Sequence, residues 1–485
     1  MIEFIALSLT CGALMYQSFH VSIVDSAILS CFIASGMFLM IRTMRGMLFG
    51  LLLGVSFVCG TLLMWQHDEL VPKSIFSDRA FDARVVSVDR KLDKTVLVVN
   101  DRLYDTKLSV TLYSHQKLLP GDNIAITGSV MEPEDFATDT GRIFPYQEYL
   151  ASKGVVGVVH RANVHLVSQG GFTLSRIATI LRFHIADVFT QYVSFPIDGV
   201  LAGMLVGYQG GLPDTIQDVF KETGVLHVLV LSGYNITLLA GFLGLLMRRL
   251  PFRLRTILII ICITLLVLIS GAGVASVRAG VMGSIALFAG LSIHTYRPLR
   301  ALTIAYLFFF ILSPSTVFID PGFHLSFLAT LFMILVLPKI ERWFHFIPST
   351  PYVDIRELLL LAILVPIFML PYTMYFNGNV PLASPFANIL LALVTPLIML
   401  VGIVLLSVSW IPFIVSLVGM LISLIGQFII SLLQVLNHLP IWNTPPLAWW
   451  SVDLIYIAFL VWLFRVELMT YVLQLGSLLR RRTSS

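Results

Sequence analysis

Residues 385–436 read PFANILLALVTPLIMLVGIVLLSVSWIPFIVSLVGMLISLIGQFIISLLQVL, without one Asp, Glu, Lys or Arg. A helix of about 20 apolar residues crosses the roughly 30 Å hydrocarbon layer of a bilayer. The stretch holds two such helices, Pro385 to Leu406 and Phe413 to Leu436, parted by a short turn. Working outward, similar runs occupy about Val225 to Met247, Leu254 to Gly271, Ala275 to His294, Ala301 to Ser313, Gly322 to Pro338, Leu358 to Phe376 and Ala448 to Phe464. Residues 225–470 therefore read as a transmembrane core of about nine spans, and 1–66 as three more: Ile2 to Ile23, Ala27 to Ile41 and Met47 to Trp65. Composition agrees, with 57% hydrophobic and 12% charged residues over 485 positions, where a soluble chain carries about 25% charged.

Charge sets the orientation. Arg42 and Arg45 lie between the second and third spans, Arg248, Arg249, Arg253 and Arg255 on a later link, then Arg297 with Arg300, Lys339 with Arg342, and Arg480 to Arg482 on the basic tail, 471–485. Cytoplasmic loops carry the excess of Lys and Arg, so these links are expected inside, with both termini cytoplasmic. The formal net charge of +4 is too small to indicate a polyanionic partner. The first segment carries Glu3 in place of a basic n-region and is expected to be retained as a span. Cys11, Cys31, Cys59 and Cys262 all sit in apolar runs, so neither a disulfide framework nor a cysteine metal site is expected.

Between the third span and the core the pattern changes. Over 67–171, the segments AFDARVVSVD, KTVLVVND, KLSVTLY, DNIAITGSVM and VVGVVHRANV alternate with period two between polar turns such as LPGDN. Such segments are strands. Five strands, with PYQEYLAS as a helix before the last, suit a small all-β barrel of OB type, which the charge pattern places outside the cytoplasm. OB barrels often bind single strands in basic, aromatic grooves, but this segment carries 12 Lys and Arg against 14 Asp and Glu. A structural cap fits that balance better. Residues 172–224 then carry Arg176, Arg182, His184 and Asp187 on an amphipathic stretch, followed by IDGVLAGMLVGYQGGLPDTIQDVFKETG. These are expected to be helices on, or dipping into, the membrane.

Polar groups within spans cost about 2.5 to 3.5 kcal/mol on insertion scales, which makes them functional candidates. GVLHVLVLSGYNI supplies His227, Ser232, Gly233 and Asn235, either as hydrogen-bonding glue between helices or as the lining of a pathway or gate. SGAGVASVRAG carries Arg278, which either snorkels to an interface or faces a carboxylate, a cavity or an anionic substrate. IDPGFHLSF carries Asp320 and His324; Asp320 either caps its helix or pairs with Arg278. VPLASPFANILLA adds Asn388, with packing the simpler role. No nucleophile, base and orienting group recur at a recognisable spacing, so no catalytic residues, cofactor or metal are expected.

The blocks FKETGVLHVLVLSGYNI, GAGVASVRAGVM, DPGFHLSFLATL and SPFANILL, in that order, resemble the ComEC family of bacterial competence proteins. With PGDNIAITG and FPYQEYLASKGVVG, the resemblance covers residues 79 to 410. Family members commonly have histidine where Asn235 stands and glutamine where His324 stands. The resemblance implies an inner-membrane channel for single-stranded DNA during natural transformation. It also implies partners: a DNA receptor, a separate nuclease, a cytosolic helicase, a lipid bilayer, and self-association into a homo-oligomer. Many relatives carry a metallo-β-lactamase-like domain, whose HxHxDH ligand run is absent from the 485 residues, so nuclease activity is not carried over. The alternatives are a transporter of another solute or a lipid-handling protein using the same polar residues near the midplane.

Overall fold

The computed structural model describes residues 2–19, 52–53, 55–63, 78–113, 116–138, 142–229, 233–291, 295–344, 355–444, 447–463 and 465. The expected second span, the Arg42 to Arg45 link, Ser232 and the tail 471–485 lie outside the described residues. What is described is an α-helical, multi-pass membrane protein carrying one small β-domain. Among the described residues six helices are long and apolar enough to cross a bilayer: Phe252–Ile269, Val274–Leu291, Pro321–Phe344, Arg356–Phe376, Ser384–Ser407 and Pro412–Leu436. Shorter apolar helices, including Ile2–Cys11, Ile197–Val206, Gly233–Leu246 and Pro298–Leu312, accompany them. Proline opens several of these helices, as at Pro298, Pro321 and Pro412, where its missing N–H would have no intrahelical acceptor in any case.

The β-domain begins with β1 (Asp78–Arg90), β2 (Thr95–Asp101), β3 (Thr106–Leu112) and β4 (Asn123–Met131). The short hairpin β5 (Phe136–Ala137) and β6 (Ile143–Phe144), the helix Tyr146–Ser152, β7 (Val155–Val159) and β8 (Asn163–Ser168) follow. The main sheet runs β1-β2-β3-β7-β4-β8, and β1 also pairs with β4, closing a five-stranded barrel with β8 outside it. β3 and β7 are parallel and the other pairs antiparallel. β1 serves two neighbours because it is long: residues 78–84 pair with β4 and residues 83–90 with β2, with the register shifting between Val85 and Ser87. A bulge of this kind bends a strand and increases its twist, which is what closure requires. VVGVVHRANV, expected as one strand, divides into β7 and β8. Arg161 adopts φ 53° between them, a left-handed conformation that ends extended pairing.

The barrel is filled, not hollow. Leu97, Leu108, Ile124 and Ile126 are fully buried inside it, and Phe183 of the Leu174–Tyr192 helix joins the same cluster from below. The Arg90 guanidinium stacks 3.8 Å from the Phe183 ring centroid. Arg182 donates to the Val88 carbonyl at 2.9 Å, and Arg176 pairs with buried Asp122 at 2.5 Å. A second attachment lies at the other side, where the Ser313 hydroxyl donates to the Ser152 carbonyl at 3.1 Å and Arg142 donates to the Tyr375 carbonyl.

Under the barrel, the ten residues of the Ile197–Val206 helix are all buried. They lie between the Leu174–Tyr192 helix and the Ser384–Ser407 and Pro412–Leu436 hairpin. Close approach is bought by glycine: a Cβ on Gly426 would stand 2.4 Å from Ile197 Cγ2, and one on Gly402 2.7 Å from Leu205 Cδ1.

Candidate functional site

The stretch expected as a continuous span from Val225 does not begin as an α-helix. Leu226–Leu229 forms a 3-10 turn, and the α-helix that follows runs Gly233–Leu246. His227 therefore sits on an exposed side of the turn, not on one helical face with Asn235. Gly224 explains the geometry upstream. Its φ of +74° is left-handed, and a Cβ there would meet Ser384 at 2.8 Å.

Asn235 is buried, and its amide donates to the Met204 carbonyl at 3.0 Å. The first polar block is thereby fastened to the fully buried Ile197–Val206 helix. Gly233 opens the next helix against Arg278: a Cβ would stand 3.0 Å from Arg278 Nη2 and 3.3 Å from Ala279 Cβ.

Arg278 itself is buried. Its Nη1 donates to the Ser326 carbonyl and the Thr330 hydroxyl on the Pro321–Leu335 helix. Its Nε is buried with no acceptor. Among the described residues Arg278 forms no ion pair, so neither snorkelling nor pairing with Asp320 describes it. Asp320 instead caps the Pro321–Leu335 helix, accepting from Gly322 N–H at 2.7 Å and Phe323 N–H at 3.4 Å. A guanidinium with neutral oxygen acceptors on one side retains its positive charge and an unused donor at Nε, and positive charge with N–H donors is the chemistry that holds an anion.

His324 lies one turn inside the same helix. Nε2 is 2.8 Å from the Val317 carbonyl, which can only accept, so Nε2 carries the hydrogen. Nδ1 then accepts from the Tyr372 hydroxyl at 2.8 Å. Asn388 is buried and donates to Ser384 of its own first turn, at 2.8 Å to the carbonyl and 3.1 Å to the hydroxyl.

The four quoted sequence blocks thus meet in space: Gly224 against Ser384, Gly233 against Arg278, and Arg278 against Ser326 and Thr330. Sequence reasoning passed over Ser326, Thr330 and Tyr372. The first two stand four apart, on one helical face, and that spacing was the available signal. Met204 offers a backbone carbonyl, which no side-chain pattern announces. Among the described residues no cluster of three or more His, Cys, Asp or Glu could hold a metal.

A barrel-bearing, multi-pass membrane protein with a polar junction between core helices is the class these features define. The competence protein family model matches residues 204–469, more than half the chain, and the chain belongs to that family. ComE operon protein 3 of Bacillus subtilis (strain 168) is 26% identical over 218 residues, 44% of this chain and 28% of that protein. The match thus spans under a third of the relative's length. No solved structure matches the chain.

Proposed function

We propose that this protein is a channel for uptake of single-stranded DNA through the bacterial cytoplasmic membrane, with the strand passing between helices of the core and contacting Arg278. The observation that carries the reading is a buried guanidinium with no carboxylate partner among the described residues, at the junction of the family's sequence blocks. A single strand presents one phosphate per about 3.4 Å, so a buried cation is a station for it, and Asn235 is a polar neighbour along the same path. The filled barrel and its acid excess support a cap that anchors the core, with the strand passing beside it. In this reading the barrel faces outward, both termini face the cytoplasm, and strand degradation and pulling belong to separate proteins.

The test is uptake of a labelled single-stranded oligonucleotide into liposomes containing the purified protein, for wild type and Arg278→Gln. Uptake at least tenfold lower in the variant, with equal amounts of folded protein, is the expected result. Undiminished uptake removes Arg278 from the path. Wild-type liposomes that exclude the oligonucleotide but admit small solutes would favour a transporter of another kind.

A further inference from the structure

We propose that Asp198 is a proton-binding carboxyl whose protonation state sets the position of the Ile197–Val206 helix. This goes beyond the DNA reading and stands without it. Asp198 lies in the first turn of that helix, is 5% exposed, and has one carboxyl oxygen, Oδ1, buried with no hydrogen-bond partner. A buried carboxylate oxygen without a donor is costly in the charged form and much less so in the protonated form. Ionisable groups retained inside membrane cores are characteristic of proton relays.

The surroundings select a proton over a metal ion. The groups beside the carboxyl are the backbone N–H groups of Gly199 and of Asp198 itself and the Thr190 hydroxyl, and the Thr190 hydroxyl donates to the Ala186 carbonyl at 3.2 Å. Two backbone donors and one hydroxyl do not make the shell of six or more oxygens that a hard cation takes. The Ser384–Ser407 and Pro412–Leu436 helices packed on this one bring no titratable side chain. The preceding helix carries Arg176, Arg182, His184, Asp187 and Tyr192. Arg176 is engaged with Asp122 and Arg182 with Val88. His227 stands on the neighbouring 3-10 turn and Tyr208 beyond the helix C-terminus. Among the described residues none of these is ion-paired to Asp198, so the proton is the species that neutralises it.

The helix is built to transmit the change. Pro196 precedes it and Gly207, at φ 68°, ends it, so it is a short rod between two chain reversals. Six residues beyond Asp198, about 9 Å along the axis, Met204 holds Asn235 through its carbonyl. A shift of the rod therefore reaches Asn235 directly. The balance is one proton taken up by the carboxylate and one released on return, with no other bond made or broken.

Two measurements on the full chain, with its native cysteines replaced by serine, test the proposal. Infrared difference spectra across a pH step read the carbonyl stretch of a protonated carboxylic acid. Spin labels at Gln209→Cys and Gln434→Cys read the distance from the end of the rod to the Pro412–Leu436 helix. We expect a protonated-acid band that disappears in Asp198→Asn and reappears at a shifted frequency in Asp198→Glu. The label distance should depend on pH in wild type and Asp198→Glu, and be independent of pH in Asp198→Asn. A band that survives Asp198→Asn, or a distance that is indifferent to pH in wild type or varies equally in Asp198→Asn, overturns it. Neither readout involves DNA, so failure here is distinct from failure of the transport reading.

Discussion

Gly233 stands directly against Arg278: a Cβ at that glycine would lie 3.0 Å from the guanidinium Nη2. The first turn of the Gly233–Leu246 helix is thus shaped around a buried cation. Alanine in a helix is about 1 kcal/mol better than glycine, which offsets part of the crowding. Gly233→Ala should therefore keep thermal stability within about 1 kcal/mol of wild type, yet displace the guanidinium and reduce oligonucleotide uptake severalfold. A variant with full uptake would show that the position of Arg278 does not matter to transport.

The ion pair of Asp122 and Arg176 makes barrel docking sensitive to acid. Burial alone would raise the Asp122 carboxyl, but hydrogen bonds from Arg176, Gly170 N–H and Leu119 N–H outweigh it and hold it below the usual carboxylate range. A carboxyl lowered by folding contributes stability above its unfolded pKa of about 3.9, and that contribution is lost as pH falls through the folded value. Thermal unfolding of the solubilised protein should show wild type losing stability in acid below about pH 4. Asp122→Ala should be destabilised by about 3 kcal/mol at neutral pH and show a flatter acid limb. Equal acid limbs in the two proteins would assign the sensitivity elsewhere.

Gly224 and Asn388 separate shape from chemistry at the meeting of the first and fourth blocks. Gly224 has φ +74°, and a Cβ there would meet Ser384 Cβ at 2.8 Å. Among the described residues Asn388 donates only within its own turn. Gly224→Ala should cost more than about 2 kcal/mol through strain and overpacking. Asn388→Ala should cost about 1 kcal/mol and leave transport near wild type. Loss of transport in stably folded Asn388→Ala would return that residue to the path.

The uncharged run 385–436 and the alternation of 80–131 carry the architecture openly, because lipid and a β-barrel each impose a period on every residue they touch. The Ile197–Val206 helix was harder to read. Its ten residues, apolar but for Asp198, suit an interfacial helix, and their complete burial depends on Gly402 and Gly426, some two hundred residues later in the chain. The sequence left Asp320 open between capping its helix and pairing with Arg278; capping claims the carboxylate, and the guanidinium settles on the neutral oxygens of Ser326 and Thr330. The 3-10 turn at Leu226–Leu229 was not legible, because hydrophobicity alone does not distinguish 3-10 from α-helical backbone.

His324 and Tyr372 provide the last prediction. The Val317 carbonyl fixes the hydrogen on Nε2, so Nδ1 must accept from the Tyr372 hydroxyl. The imidazole therefore works as a donor to the short Pro314–Ile319 helix and as an acceptor that ties the Pro321–Leu335 helix to the Ile355–Phe376 helix. A glutamine amide supplies the same two functions on a flexible stem. His324→Gln should consequently unfold within a few degrees of wild type and retain transport. Tyr372→Phe leaves one acceptor unpaired and should cost about 1 kcal/mol, whereas His324→Leu orphans both the tyrosine hydroxyl and the Val317 carbonyl and should cost about 2 to 3 kcal/mol. Thermal unfolding of the three variants gives the order. If His324→Gln is as damaged as His324→Leu, the imidazole is needed for its ring or its charge, and the simple hydrogen-bond account fails.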